Sequence, residues 1–313
     1  MTPPARRASL PGMSQTHDTP LRADINDTPL RADINGQSIA YEIAGRGPPL
    51  LLLHGYPQCR ALWRPLIPAL SDAFTVIAAD LRGYGDSSMP ETMEAMSFRN
   101  MGADMLALMD HLGFDRFHLA GHDRGARVSH RLALDAPERL LAVTLMDIVP
   151  THHLLSHCTQ EVARAYYHWF FLAQPAPFPE TLIGHDPQTY FERCLLGFGK
   201  AALTDFAPGP LAEYRRAWAQ PGAIRAGCND YRAAIDVDFH HDAADLHRRV
   251  ACPAQVLYGA EGAMARLMDV PATWAERLEH MQARAIPGGH FFPDQSPKET
   301  AQALRSFHLA HAG

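Results

Sequence analysis

The chain has 313 residues, of which 47% are hydrophobic, 9% aromatic and 20% charged. This composition excludes disorder for most of the length and fits one large α/β domain as well as two smaller domains. The 28 lysines and arginines against 34 aspartates and glutamates give a formal charge of −6. That balance argues against nucleic acid or an anionic membrane surface as a partner. An anionic substrate would have to be bound by local arginines.

The cysteine usage and the lack of long apolar runs indicate where the protein works. Five cysteines are scattered along the chain without a C-x-x-C pair, which is typical of free thiols in a reducing compartment. No run has the apolar length of a signal-peptide core or a membrane helix. We predict a cytoplasmic protein.

A direct repeat marks the N-terminal region. The nonapeptide DTPLRADIN occurs at positions 18–26 and again at 27–35. Because two units are too few for a solenoid, we attribute the repeat to a small duplication. We predict a flexible tail over residues 1–34, followed by two strands that a Gly/Pro turn joins in GQSIAYEIAGRGPPLLLLHG.

Short apolar runs alternate with helical patterns along the rest of the chain. The runs are LLLL at 50–53, TVIAA at 75–79, FHLAG at 117–121, LAVTLM at 141–146, AQVLYG at 254–259 and ARAIPG at 283–288. This pattern predicts a mostly parallel central sheet with helices on both faces. The aromatic-rich stretch 150–247 contains no convincing strand. We predict that it is a helical cap inserted into a core of residues 35–149 and 248–313, where it would cover a small apolar pocket.

One strand-turn-helix carries the first candidate catalytic residue. Asp123 is the central residue of G-H-D-R-G at 121–125, between an apolar strand and a helix. Glycines on both sides of one reactive side chain are typical of a nucleophile elbow. A carboxylate there is ionised at neutral pH and can displace a leaving group from saturated carbon. The structural alternative is an aspartate that only caps the following helix.

A hydrolytic site also needs a general base, an acid that orients it, and donors that stabilise an oxyanion. His290 lies on a glycine-rich loop after the last predicted strand, where an imidazole can act as general base. Its orienting acid is either Asp147 or Glu261, since each follows a predicted strand and spacing alone leaves the choice open. The backbone N–H groups of Tyr56 and Arg124 would form an oxyanion hole. For the turn at residues 80–87 we favour a structural role.

Arg124 and Arg127 directly follow the candidate nucleophile and share one face at the start of a helix. Two negative charges about 4 Å apart repel by ~4 kcal/mol at an effective dielectric of 20. An anionic substrate next to Asp123 therefore needs cations, and arginine also fixes a carboxylate's orientation. The alternative is a pair of ordinary ion-pair arginines.

Five motifs of the chain are GHDRGAR, HGYPQ, DLRGYGDS, YHWFF at 167–171 and GGHF. They resemble those of the fluoroacetate dehalogenases of the α/β-hydrolase superfamily, and the resemblance extends over the chain from about Asn35 onward. The resemblance implies an α/β-hydrolase fold, a homodimer and Asp147 in preference to Glu261. It further implies roles for other residues: Asp123 as nucleophile, His290 as base, Arg124 and Arg127 as carboxylate ligands, and His168, Trp169 and Tyr231 as halide ligands. Without the resemblance, the cap aromatics would be interpreted as core packing.

These observations predict a hydrolase that converts a haloacetate to glycolate and halide through an aspartyl ester, without a metal or organic cofactor. One alternative is an epoxide hydrolase with the same nucleophile, in which Tyr166, Tyr167 or Tyr231 would activate the ring oxygen. The two arginines argue against it, because a neutral epoxide gains little from them. A second alternative is a ligand-binding protein of the same fold without activity.

Overall fold

The computed structural model describes residues 28–197 and 201–312. Its strands are β1 (Leu30–Ile34), β2 (Gln37–Gly45), β3 (Pro49–Leu53), β4 (Thr75–Ala79), β5 (Phe117–His122), β6 (Leu140–Met146), β7 (Ala254–Gly259) and β8 (Met281–Ile286). They form one sheet in the order β1-β2-β4-β3-β5-β6-β7-β8. Only β1 with β2 and β2 with β4 pair antiparallel, and every other pair is parallel. The predicted α/β class with a mostly parallel sheet is confirmed.

Helices cover both faces of this sheet. They are α1 (Ile67–Leu70), α2 (Phe98–His111), α3 (Arg124–Asp135), α4 (Thr151–Ser156), α5 (Gln160–Ala165), α6 (Tyr167–Leu172), α7 (Phe178–His185), α8 (Pro187–Leu195), α9 (Pro208–Trp218), α10 (Ala223–Ala233), α11 (Phe239–Ala244), α12 (Ala263–Leu267), α13 (Val270–Ala275), α14 (Phe292–Gln295) and α15 (Pro297–Leu309). The central strand β5 is buried at every position. A continuous apolar run is therefore required there, because both faces of the strand pack against helices.

The predicted tail over residues 1–34 is wrong at its end, because Leu30–Ile34 form strand β1. This strand pairs antiparallel with β2 and buries Ala32 and Ile34. Asn35 and Gly36 both have positive φ angles, of 51° and 74°, which a two-residue hairpin turn requires. The second copy of the nonapeptide thus supplies an edge strand. The first copy lies outside the described residues.

Between β6 and β7, the described part of the chain forms helices α4 to α11 and no strand. A π-helical turn, Ala234–Asp238, joins α10 to α11. One contact between these helices and the core is a buried polar cluster. The Gln58 amide donates to Asp294 at 2.7 Å, and Tyr214 of α9 donates to the same carboxyl group at 3.2 Å. This cluster fixes α9 next to the loop that follows β3.

The carboxyl ends of the parallel strands meet at one edge of the sheet. Tyr56 follows β3, Asp123 follows β5, Asp147 follows β6 and His290 follows β8. In an open α/β sheet this edge is where ligands bind. The fold therefore brings together four residues that are up to 234 positions apart, from Tyr56 to His290.

Candidate active site

Asp123 lies at a strained turn between β5 and α3, with φ 47° and ψ −112°. A Cβ atom on Gly121 would lie 2.3 Å from the Gly125 carbonyl oxygen, and one on Gly125 would lie 2.4 Å from that of Leu53. Gly121 is therefore needed for α3 to pack against β5, and Gly125 for α3 to pack against the end of β3. The Asp123 side chain makes no capping hydrogen bond to α3. This geometry disfavours the helix-cap alternative and leaves the carboxylate facing a cavity.

The surroundings of Asp123 stabilise its charged form. The Tyr56 backbone N–H donates to Oδ2 at 3.0 Å. Burial would raise the pKa of the Asp123 carboxyl, but the positive charges of His290, Arg124 and Arg127 outweigh burial and lower that pKa to about 2. The carboxylate is therefore ionised at neutral pH and available as a nucleophile without a base.

His290 and Asp147 form a hydrogen-bonded pair. The Nδ1 atom of His290 lies 2.6 Å from Oδ2 of Asp147, whose Oδ1 accepts from the Gly259 N–H at 2.8 Å. Glu261, the alternative acid, has an exposed side chain on the cavity wall, and the described contacts include none between it and His290. Since the carboxylate binds Nδ1, the Nε2 atom is the one available as a base.

The charges around His290 act on its pKa in opposite directions. Burial lowers this pKa, whereas the hydrogen bond and charge of Asp147 and the charge of Asp123 raise it, with a net increase above 6.5. In the resting site, the carboxylates of Asp147 and Asp123 therefore both favour the protonated form of the imidazole.

Sequence reasoning missed His122, which supports the His290 loop. Its Nε2 atom lies 2.8 Å from the His290 carbonyl oxygen, and the two rings are 4.8 Å apart between centroids. Burial lowers the pKa of His122 to about 4, so the ring is neutral and its Nε2 carries the proton that the carbonyl accepts. The signal available in the sequence was its position directly before Asp123.

Arg124 and Arg127 both lie in the protein interior, beside one indole ring. The Cζ atoms of Arg124 and Arg127 are 4.9 and 4.6 Å from the ring centroid of Trp169. Arg124 forms a bidentate ion pair with Asp230, a residue that the sequence did not point to. Arg127 donates to the Val149 carbonyl at 3.1 Å and the Thr151 hydroxyl at 3.0 Å. Burial and the charge of Arg124 lower the pKa of Arg127 to about 10, so its side chain stays charged at neutral pH.

The three cap aromatics predicted to bind halide lie together. The Tyr231 ring is 5.6 Å from that of His168 and 5.3 Å from that of Trp169, between centroids. Burial lowers the pKa of His168 to about 4, which leaves a neutral ring with one N–H to donate. Trp169 also packs against both guanidinium groups. Its packing role and a ligand role are therefore compatible.

A cavity of about 270 Å³ opens in front of Asp123. Tyr56, Asp123, His168 and His290 are among the residues that line it. Among the described residues, the lining does not include Arg124, Arg127, Trp169 or Tyr231, which are buried. A ligand in the cavity can therefore contact the nucleophile, the base and His168.

The sequence of the chain matches a known family over most of its length. Residues 48–297 match the family described as alpha/beta hydrolase fold. The chain belongs to the alpha/beta hydrolase family. It is 48% identical over 268 residues to a fluoroacetate dehalogenase from Burkholderia sp, covering 85% of this chain and 88% of that protein. It is 34% identical to a soluble epoxide hydrolase from Corynebacterium sp. (strain C12), over 82% and 89% of the two chains.

Solved structures agree with this assignment. An alpha/beta hydrolase from Nostoc sp PCC 7120 superposes with a TM-score of 0.88 at 46% identity, covering 92% of this chain and 99% of that one.

Within residues 28–197 and 201–312, no helix has the length and apolar character to cross a membrane. The same residues contain no group of three or more His, Cys, Asp or Glu side chains that could hold a metal ion.

Proposed function

We propose that this alpha/beta hydrolase is a haloacetate dehalogenase, which converts fluoroacetate and water into glycolate, fluoride and a proton. The observation that carries the proposal is Arg127, a buried arginine whose described hydrogen bonds go only to neutral acceptors. A buried cation without an anionic partner is costly, so a ligand carboxylate would fit here. The similarity to the Burkholderia fluoroacetate dehalogenase supports the same substrate class.

The first step is a displacement at saturated carbon. An oxygen of the Asp123 carboxylate attacks the CH₂ carbon, a C–O bond forms, and the C–F bond breaks with its electron pair leaving on fluoride. Arg127 offsets the repulsion between the two carboxylates, which is ~4 kcal/mol at about 4 Å and a dielectric of 20, and Arg124 would help to orient the substrate carboxylate. His168, Trp169 and Tyr231 would donate to the departing fluoride, where charge develops in the transition state.

The second step hydrolyses the ester that Asp123 has formed. Nε2 of His290 takes a proton from water, and the resulting hydroxide attacks the Asp123 carboxyl carbon. The N–H of Tyr56, which donates to Oδ2 at 3.0 Å in the resting site, would stabilise the oxyanion together with the Arg124 N–H. Collapse of the tetrahedral intermediate breaks the ester C–O bond, and the His290 imidazolium, which Asp147 stabilises, returns its proton to the departing glycolate oxygen. The Asp123 carboxylic acid that remains loses its proton to solvent, which restores the carboxylate.

Halide release from fluoroacetate and chloroacetate by the wild type and by Arg127→Ala tests the proposal. We expect turnover by the wild type and a fall in kcat/KM of about 100-fold in the variant, because a charge-assisted contact to the substrate is lost. Arg305→Ala is the matched control, since Arg305 pairs with Asp72 on the outside of α15 and should leave kcat/KM unchanged.

A neutral epoxide serves as the competing substrate in the same assay. Tyr166 lines the cavity with Asp123 and could activate a ring oxygen, and one relative is a soluble epoxide hydrolase. Epoxide opening that survives Arg127→Ala, without release of halide from either haloacetate, would contradict the proposed substrate.

We also propose a cytoplasmic location and a homodimer. The five cysteines are all free in the structure, which suits a reducing compartment. The homodimer rests on the resemblance to fluoroacetate dehalogenases. Sedimentation of the purified protein at the mass of a single chain would contradict it.

A further inference from the structure

The two arginines of the site differ in their partners. Nε and Nη2 of Arg124 donate to Oδ2 and Oδ1 of Asp230 at 2.9 and 2.5 Å, and both side chains are fully buried. Arg127 has no carboxylate within ion-pair distance in the part of the chain that the structure describes. The charge of Arg124 is therefore balanced by the protein, whereas that of Arg127 is not.

The Arg124 guanidinium is held in one orientation. Its Cζ atom lies 4.6 Å from the ring centroid of Phe98 and 4.3 Å from that of Tyr231, in addition to its contact with Trp169. Asp230 engages Nε and Nη2, and the described residues offer no partner for the buried Nη1. Only one nitrogen of Arg124 is thus left for a ligand.

Asp230 is in turn held from the core. The Tyr84 hydroxyl donates to Oδ2 of Asp230 across 146 positions of sequence. Tyr84 belongs to the turn at residues 80–87, and a Cβ added to the neighbouring Gly83 would lie 2.3 Å from the Met96 Cε and 3.2 Å from the Ala226 Cβ of α10. Burial raises the pKa of Tyr84 well above 10, so the hydroxyl remains a donor at every relevant pH. The turn at residues 80–87 therefore contacts the site indirectly, because Tyr84 binds Asp230 and Asp230 binds Arg124.

We propose that Asp230, held by Tyr84, is a positioning residue that directs Nη1 of Arg124 toward the substrate carboxylate and neutralises the charge of Arg124. Arg127 then supplies the net positive charge for an anionic ligand. This inference rests on the proposed function in its choice of ligand, and it assigns the two arginines different roles, orientation for Arg124 and charge for Arg127.

Removal of the Asp230 charge has a specific consequence. An unbalanced Arg124 guanidinium would turn toward the remaining anions, which are the ligand carboxylate and Asp123. Carboxylates would then bind more tightly, because the site has gained one positive charge. Turnover would fall, because the substrate is held in the wrong orientation or the nucleophile is itself paired.

The experiment compares Asp230→Asn and Tyr84→Phe with the wild type. Calorimetry measures the Kd for acetate, which has no leaving group, and halide release measures kcat with chloroacetate and fluoroacetate. For Asp230→Asn we expect kcat to fall about tenfold or more and the acetate Kd to fall about threefold. Tyr84→Phe keeps the Asp230 charge, so kcat should fall about threefold while the acetate Kd stays within about twofold.

A merely structural role for Asp230 would give a different result. Acetate affinity that weakens together with kcat in Asp230→Asn, or no change beyond about twofold in either quantity, would overturn the proposal. If Asp230→Asn does not fold, Tyr84→Phe decides, and a wild-type kcat in that variant would overturn it. Asp110→Asn is the control, because the Asp110 side chain is 62% exposed in an ion pair with Arg139.

The acetate measurement also separates this inference from the proposed reaction. A wild-type protein that binds acetate but releases no halide would refute the dehalogenase function, while the effect of Asp230→Asn on acetate binding would still test the roles of the two arginines. A wild-type protein that does not bind acetate would overturn the inference itself.

Discussion

Replacing Asp123 by asparagine should reduce halide release from haloacetates by about four orders of magnitude or more. The amide has nearly the shape of the carboxylate and its oxygen can still accept the Tyr56 N–H, which now donates to Oδ2 at 3.0 Å. It carries no negative charge, however, and cannot displace fluoride from carbon. Halide release would therefore be lost because the nucleophile is missing, while the strained turn at position 123 would be retained. Ion chromatography of released halide under single-turnover conditions measures it.

The fold of the Asp123→Asn variant must be checked separately. The positive charges around Asp123 lower the pKa of its carboxyl in the folded protein, so the ionised carboxylate contributes to stability at neutral pH. A cooperative thermal transition with native circular dichroism would establish that the variant is folded. Asp110→Asn serves again as a surface control. Halide release by a folded Asp123→Asn variant within about tenfold of the wild-type rate would rule out Asp123 as the nucleophile.

The sequence was sufficient to predict the parallel part of the sheet. Strands buried on both faces read as continuous apolar runs, and five of the predicted runs fall on β3 to β7. The sixth run overlaps β8, an edge strand in which residues 282–285 are exposed. Parallel strands then place their following loops at one edge, so the loops that carry Asp123 and His290 could be expected to meet. Strand β1 was missed, although Asn35-Gly36 is a hairpin signal, because this short edge strand buries only Ala32 and Ile34 and contains no apolar run.

The side-chain partners within the site could not be predicted in this way. Asp230 is 106 positions from Arg124 and 146 from Tyr84, and nothing in either local pattern indicates that they meet. The local pattern also could not decide between Asp147 and Glu261 as the partner of His290, since both follow parallel strands at the same edge of the sheet. The Gly259 N–H at the end of β7 donates to Oδ1 of Asp147, and Oδ2 of the same carboxylate lies 2.6 Å from Nδ1 of His290. Such contacts depend on cross-strand register and helix docking, which local periodicity does not contain.

Replacing His290 by glutamine should separate the two steps of the proposed reaction. The first step needs only the Asp123 carboxylate, so we expect one halide per active site in a rapid burst. The second step needs a base for water, so the ester on Asp123 should accumulate and steady-state turnover should fall by about 10³-fold or more. Mass spectrometry of the quenched protein should find one carboxymethyl group on the peptide that contains Asp123. A full loss of the burst would contradict the assignment of His290 to the second step alone.

The pH dependence of turnover provides the matched comparison, with Asp147→Asn beside the wild type. His290 acts as a base in its neutral form, so ester hydrolysis should rise with pH through the histidine pKa and level off above it. That pKa is raised in the resting enzyme by Asp147 and Asp123, against the effect of burial. In the ester Asp123 has lost its charge, so Asp147 is the remaining carboxylate of the two that raises it. Asp147→Asn should therefore move the inflection in kcat to below about 6.5 and lower the plateau by ~10²- to 10⁴-fold, because the imidazole loses its orienting partner. An inflection that stays in place in Asp147→Asn would mean that the titrating group is not the His290 imidazole bonded to Asp147.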